Sequence, residues 1–252
     1  MGGALASALA SATNNIILSD YSAEKAEELA KKLNCTAGDN HTVASECDAV
    51  FLAVKPQVLA SVLEDIKDIL GQRKPLIITM AAGVKIEKIE NITGASLPII
   101  RIMPNTPVAV GKGVILYCSN SLVSQNQLDT FITDMRFAGT LENLGEELMD
   151  IGCAVSGCGP AYMYMFVDAI ADGAEKCGLS RDKAIKFAAL TMSGAAEMVL
   201  QSDKTPKDLR IAVCSPGGST IEGVKVLEAQ GFKQTAADAI KAAYNRNIEL
   251  GK

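Results

Sequence analysis

Several things are scarce in this 252-residue chain. It has one histidine, His41, with no second ligand type spaced near it, so a histidine-based metal site has nothing to build on, and His41 reads as a loop residue. Cysteine occurs seven times, at positions 35, 47, 118, 153, 158, 177 and 214, yet no C-x-x-C is present. An odd number at wide spacing excludes a disulfide framework and a zinc ribbon, so no metal is expected. The thiols read as reduced and mostly buried, which fits the cytoplasm. No run of Lys or Arg stands out, and the net charge is −5. That balance argues against nucleic acid or an anionic membrane as the partner. The longest apolar runs, such as PLIITMAAGV, are too short to span a bilayer.

The opening, MGGALASALASATNNIILSDYS, lacks a basic residue before Lys25. Its A-x-A spacings at Ala4–Ala6, Ala6–Ala8 and Ala8–Ala10 imitate a signal peptide, but the basic start and strongly apolar middle of one are missing. The stretch reads better as helix, turn, short buried strand and helix, with Ser22 capping the helix in SAEKAEELAKKL. That is the rhythm of an α/β sheet. In a dinucleotide-binding fold, an acid that bonds the ribose hydroxyls follows the glycine turn by about 20 residues. Asp20 stands at the end of IILSD, and Gly2 opens the helix where the third glycine of such a turn belongs.

The alternation continues. DAVFLAV (48–54) is a continuous apolar run, the mark of a parallel strand buried on both faces. Pro56 suits the first turn of the next helix, and Gly71 is expected to stop it. PLIITMAAG (75–83) and LPIIRIMPN (97–105) read as further strands, with the short helix KIEKIENI between them. The strand ends are small, polar or turn-forming: Ser19-Asp20, Ala53-Val54-Lys55-Pro56, Ala81-Ala82-Gly83 and Met103-Pro104-Asn105. In open α/β sheets, ligands bind beyond such carboxyl ends.

From about residue 145 the strand signals stop and long helical patterns take over, several of them apolar nearly all round. That much apolar helical surface in a small domain predicts a homo-oligomer whose interface completes the core. Two loops are expected to interrupt this half. VSGCGPAYMY (155–164) sets Gly-x-Gly-Pro before one helix, and CSPGGSTIEG (214–223) sets two glycines and two hydroxyls before another. In the second, backbone N–H groups and hydroxyls gather at a helix start, a ready site for an anion such as a carboxylate.

The segments AVKPQ, AAGV, RIMPNTPVAVGKG, VSGCGPAY and above all CSPGGSTIEGVKVLEAQGF resemble pyrroline-5-carboxylate reductases, in order and over essentially the whole chain. Members of that family begin with a strand and a segment similar to G-x-G-N-M-G-G-A-L. By that resemblance MGGAL begins inside the glycine-rich loop, without the first strand and two of its glycines. The resemblance implies a Rossmann-type domain over 1–147 and an all-helical substrate-binding and dimerisation domain over 148–252. It implies hydride transfer from NADPH or NADH to the C=N carbon of 1-pyrroline-5-carboxylate, giving L-proline in the cytoplasm. Homodimers are implied, in some members assembled into decamers.

By the same resemblance, Gly2 lies on the pyrophosphate, and Ser19 and Asp20 lie near the adenine ribose. Asn40, Ala53, Val54, Lys55 and Pro56 line the cofactor cleft, and Ala81, Ala82 and Gly83 lie near the nicotinamide. Ser215, Gly217, Gly218 and Ser219 hold the substrate. Thr220 hydrogen-bonds the ring nitrogen and relays its proton. An acid at Asp20 repels a 2′-phosphate and so leans towards NADH. Lys55 has a second reading, a surface salt bridge. Two rival functions stay open: a β-hydroxyacid dehydrogenase, whose Lys early in the helix after the first domain has no counterpart before Lys176, and a non-catalytic sensor of a nicotinamide or an amino acid.

Overall fold

The computed structural model describes residues 1–13 and 15–250. Asn14, in the turn expected before the first strand, lies outside the described residues, as do the last two residues of the expected second domain. The chain divides into two compact units: Met1–Cys158 together with the chain from Ala242 onward, and Gly159–Lys241.

The first unit is an open α/β sheet. Helix α1 (Gly2–Leu9) leads to β1 (Ile17–Leu18), α2 (Ala23–Leu33), β2 (Thr36–Ala37) and α3 (Asn40–Glu46). Then come β3 (Ala49–Leu52), α4 (Pro56–Arg73), β4 (Leu76–Thr79), α5 (Ile86–Thr93) and β5 (Ile99–Met103). The unit continues with β6 (Gly113–Ser119), α6 (Gln125–Met135), β7 (Gly139–Asn143) and the single turn α7 (Met149–Gly152). β1 and β2 pair in parallel as a sheet of their own. The main sheet has the order β3-β4-β5-β6-β7, with β3, β4 and β5 parallel, β6 antiparallel to β5, and β7 parallel to β6.

Of the apolar runs read as strands, β4 and β5 are buried on both faces, as crossover helices require, whereas β3, at the end of the main sheet, buries Val50 and Leu52 and leaves Ala49 exposed. On one face Leu59, Leu63, Ile66 and Leu70 of α4 form a stripe at helical spacing, joined by Ile89 of α5 and Met149 of α7. On the other, Leu5 and Ala8 of α1 and Phe131 and Met135 of α6 cover Ile78, Ile100, Ile102 and Ile115. There Tyr117 meets Phe131 edge-on, with ring centroids 5.8 Å apart.

The structure corrects several expectations. Gly71 does not stop α4: the helix runs to Arg73, and Lys74 turns left-handed at φ 53°. The cause is Pro75, because a helix seldom continues through the residue before a proline. His41 is not in a loop: it lies on α3, and its Nε2 stands 3.2 Å from Asp65 Oδ2 on α4. Of the cysteines, Cys118 and Cys153 are buried, Cys177 is exposed, and the other four are half-buried. No loop opens at residues 155–158: residues 153–157 form a π-helical turn that leads almost directly into the next helix. Asn105 fixes that turn, donating from Nδ2 to the Ser156 carbonyl at 2.9 Å and accepting at Oδ1 from the Val114 N–H. The division between units therefore falls after Cys158 rather than at 147/148: Met149, Cys153 and Ala154 are helical yet buried in the first unit.

Among the described residues, one charged side chain lies wholly inside. Arg101, on β5, is 1% exposed. Its Nη1 reaches Glu146 Oε1 and its Nη2 reaches Asp150 Oδ1, each at 3.3 Å. Glu146 Oε1 also accepts the N–H of Ile86, the first residue of α5, at 2.8 Å. The carbonyl of Asp150 accepts from Asn247 Nδ2 at 2.9 Å.

The second unit is helical: α8 (Gly159–Lys176), α9 (Arg181–Gln201), α10 (Pro206–Ala212), α11 (Ser219–Ala229) and the start of α12 (Phe232–Leu250). Arg181 of α9 pairs with Asp168 and Asp172 of α8, and Phe166 of α8 stacks against Phe232 of α12 at 5.7 Å. Among the described residues of this unit, the buried apolar ones are alanines: Ala171, Ala184 and Ala188. The large side chains face outward, with Met165 72%, Leu190 61%, Leu200 81% and Val226 63% exposed. Such faces on a single copy are an interface waiting for its partner. Among the described residues no helix is long and apolar enough to cross a membrane.

Arg101 supplies a test. Arg101→Ala strands two partly buried carboxylates and is expected to cost about 3–5 kcal/mol in a urea melt. Arg101→Met keeps the apolar stem but strands the same two carboxylates, so most of that loss is expected to remain. Parent-like stability of Arg101→Met would refute the ion-pair account.

Candidate functional site

In the first unit the site elements are the start of α1 and the carboxyl ends of β1, β3 and β4. α1 has no side-chain cap, so its first N–H groups are free to meet an anion. A Cβ placed on Gly2 would stand 2.8 Å from Ala53 Cβ, so the helix start lies directly against the end of β3. This is the glycine requirement for close helix–strand packing in a dinucleotide fold. Gly2 and Ala53 are thus brought together.

So are Ser19 and Asn40. Ser19 Oγ donates to Asn40 Oδ1 at 2.8 Å, joining the end of β1 to the first residue of α3. Asp20 follows β1 in an exposed turn, where its Oδ1 accepts the Ser22 N–H at 3.0 Å. Ser22 is the N-cap of α2, as expected, although its side chain makes no cap bond. Sequence reasoning missed Asp39, the N-cap of α3. Its Oδ1 accepts the N–H and the hydroxyl of Thr42, each at 2.7 Å, and fixes the helix start that carries Asn40. The backbone N–H of Thr42, then its hydroxyl, hold the Asp39 carboxyl below its ordinary value. The D-x-x-T spacing was the signal that could have found it.

Ala53, Val54 and Lys55 form the short link from β3 to α4, with Lys55 as the N-cap and Pro56 at the first helical position. Lys55 is exposed and has no ion pair among the described residues, so the salt-bridge alternative finds no partner there. Ala81, Ala82 and Gly83 turn the chain after β4: the Val84 N–H donates to the Ala81 carbonyl at 3.2 Å, and Gly83 sits at φ 73°, where a side chain would be strained.

The second unit carries the other candidate. Cys214 to Gly218 form a tight loop, in which the Gly218 N–H donates to the Ser215 carbonyl at 3.0 Å and Gly217 holds φ 71°. A Cβ on Gly218 would stand 2.5 Å from Ser215 Oγ, so the glycine is what lets that hydroxyl fold over the loop. Gly218 is the N-cap of α11 and offers no side chain, which leaves the first N–H groups of the helix open. Ser219 and Thr220 are the first two residues of α11 and do not cap it. Ser215, Gly217, Gly218, Ser219 and Thr220 are therefore contiguous around one helix start. No group of three or more metal-ligating side chains occurs among the described residues.

Residues 146–250 match the family described as pyrroline-5-carboxylate reductase dimerisation, and residues 1–83 match the family described as NADP oxidoreductase coenzyme F420-dependent. The chain is 37% identical over 238 residues to pyrroline-5-carboxylate reductase 3 of Xenopus laevis, covering 94% of this chain and 86% of that one. It is 38% identical over 210 residues to the pyrroline-5-carboxylate reductase of Escherichia coli, covering 83% and 78%. Its fold superposes on a Plasmodium falciparum pyrroline carboxylate reductase with NADP bound at a TM-score of 0.90, with 35% identity, covering 100% and 95%. A NADH-preferring ketol-acid reductoisomerase at 15% identity and a TM-score of 0.62 shares the fold alone.

Two measurements follow. Gly2→Ala is expected to lower stability by about 1–3 kcal/mol through overpacking, and Ala53→Gly in the same chain to restore it. A melt of Gly2→Ala that matches the parent would remove the close-approach argument. For Asp39, the folded value is depressed from 3.8, so its cap contributes fully above that pH and is lost as pH falls through the folded value. Asp39→Asn should therefore flatten the loss of α3 stability on acidification, seen as amide exchange of residues 42–46.

Proposed function

The chain belongs to the pyrroline-5-carboxylate reductase family, and from that membership we propose its reaction. It reduces 1-pyrroline-5-carboxylate to L-proline, the last step of proline biosynthesis, using a reduced nicotinamide dinucleotide. When bound, that cofactor supplies the hydride received by the C=N carbon. The chain's own residues bind, orient and manage a proton.

The observation that carries the reading is the open start of α11. The N–H groups of Ser219 and Thr220 and the hydroxyls of Ser215 and Ser219 are donors suited to the substrate carboxylate. With the carboxylate held there, Thr220 Oγ1 is the group assigned to the ring nitrogen. An imine nitrogen is basic enough to carry a proton before reduction, so the protein needs positioning and a dry pocket more than a strong acid. Alcohol chemistry would instead call for a positioned base. α8 offers no lysine before Lys176, its last residue, which speaks against the dehydrogenase reading.

In the first unit, the free start of α1 at Gly2 suits a pyrophosphate, and Ser19, Asp20 and Asn40 suit the adenine ribose. Asp20 carries its charge where a 2′-phosphate would stand, and NADH is the cofactor we assign as preferred. The exposed apolar faces of α8, α9 and α11 fit a homodimer, and by resemblance a decamer built from dimers. Seven free cysteines fit a reducing cytoplasm.

Loss of reduced-nicotinamide absorbance on adding pyrroline-5-carboxylate tests the reaction, with NADH and NADPH run in parallel. Thr220→Val is expected to lower kcat by about 100-fold, with an unchanged melt because the exposed Thr220 makes no cap bond. Wild-type turnover by that variant would remove Thr220 from the proton path. Asp20→Ala is expected to move the kcat/KM ratio towards NADPH by a factor of about 5, the worth of one unit charge about 4 Å away in water. No movement would leave the preference to other residues.

A further inference from the structure

We propose that Cys153 and Cys158 form an oxidisable dithiol, which a hydroperoxide closes into a disulfide across the π-helical turn of residues 153–157. In a regular α-helix, residues five apart point about 140° away from each other. Here the turn is π-helical: the Cys158 N–H donates to the Cys153 carbonyl at 3.0 Å, and the extra residue brings position 158 back over position 153. Gly157 makes the room for this. A Cβ there would stand 2.9 Å from Cys153 Sγ, so any side chain at 157 would push the sulfur off the path to its neighbour.

The two sulfurs are not equivalent. Cys153 is buried, and burial pushes its thiol up to about 11. It keeps its proton at neutral pH and is a poor first nucleophile. Cys158 is half-buried, so the first attack falls to it. Its sulfur takes one oxygen from the hydroperoxide: the O–O bond breaks, an S–O bond forms, and water or an alcohol leaves. Cys153 then attacks the sulfenic sulfur; the S–O bond breaks, the S–S bond forms, and a second water leaves with the remaining proton. The two thiols lose two electrons and two protons, and the hydroperoxide is reduced.

The full-length protein treated with hydrogen peroxide at pH 8, quenched, unfolded, alkylated and cut with trypsin gives the test. Cys153 and Cys158 fall in one peptide, Phe137–Lys176, bounded by Arg136 and Lys176. The expected product is that peptide unalkylated and about 2 Da lighter, the mass of two hydrogens, restored by dithiothreitol. Cys158→Ser should abolish the product and leave Cys153 reduced. Cys153→Ser should strand Cys158 on the oxidation ladder as sulfinic acid. In the unsubstituted protein, full alkylation of both residues at a dose that oxidises exposed Cys177, or sulfinic acid at Cys158 without the link, would overturn the proposal. That readout does not depend on the variants folding.

Discussion

The first unit depends on one guanidinium. Arg101 sits in the middle of β5, shut off from water, and its two terminal nitrogens fix Glu146 and Asp150. Through Glu146 it holds the first N–H of α5, and the carbonyl of Asp150 takes the amide of Asn247 near the end of α12. A buried charge tolerates few arrangements, because each unmatched contact exposes a desolvated ion. The network therefore sets where the chain leaves the sheet after β7 and where its last helix returns. The π-turn that begins at Cys153 follows directly from that placement, and Asn105 secures its far end.

Both candidate sites use one device, a helix start without a side-chain cap. At α1 the approach of Gly2 to Ala53 draws the helix start to the sheet edge. At α11 the loop glycines remove the side chains that would fill the space, and the hydroxyls of Ser215 and Ser219 add donors around it. Pyrophosphate and carboxylate are both anions, and a backbone that presents N–H groups needs no charged residue to hold either.

Much of this was legible from residues alone, for physical reasons. β4 and β5 are apolar runs because both faces are covered, and a run of that kind needs no alignment to be read. Pro56 marked the start of α4, and Gly2 marked the helix that packs closely against the end of β3. What was not legible depends on tertiary partners. Gly71 looked like a stop, yet a Cβ there would make ordinary contact with Ala95 at 3.8 Å, so the glycine is tolerated rather than required. β6 and β7 follow a turn whose geometry is fixed elsewhere: Gly113 and Gly139 are paired so closely that a Cβ on Gly139 would overlap the Gly113 backbone. The π-turn looked like a loop because its glycines are turn residues by composition. Asn105 and the buried core below it made them helical.

The outward-facing side chains of the helical unit carry one more consequence. A fold whose own interior is closed by alanines gains much of its hydrophobic burial only when a second surface arrives. Its folding equilibrium then contains a concentration term. Each tenfold dilution removes about 1.4 kcal/mol from the associated state. Chains at low abundance would hold an unfinished bundle, and the supply of this protein would set how long that lasts.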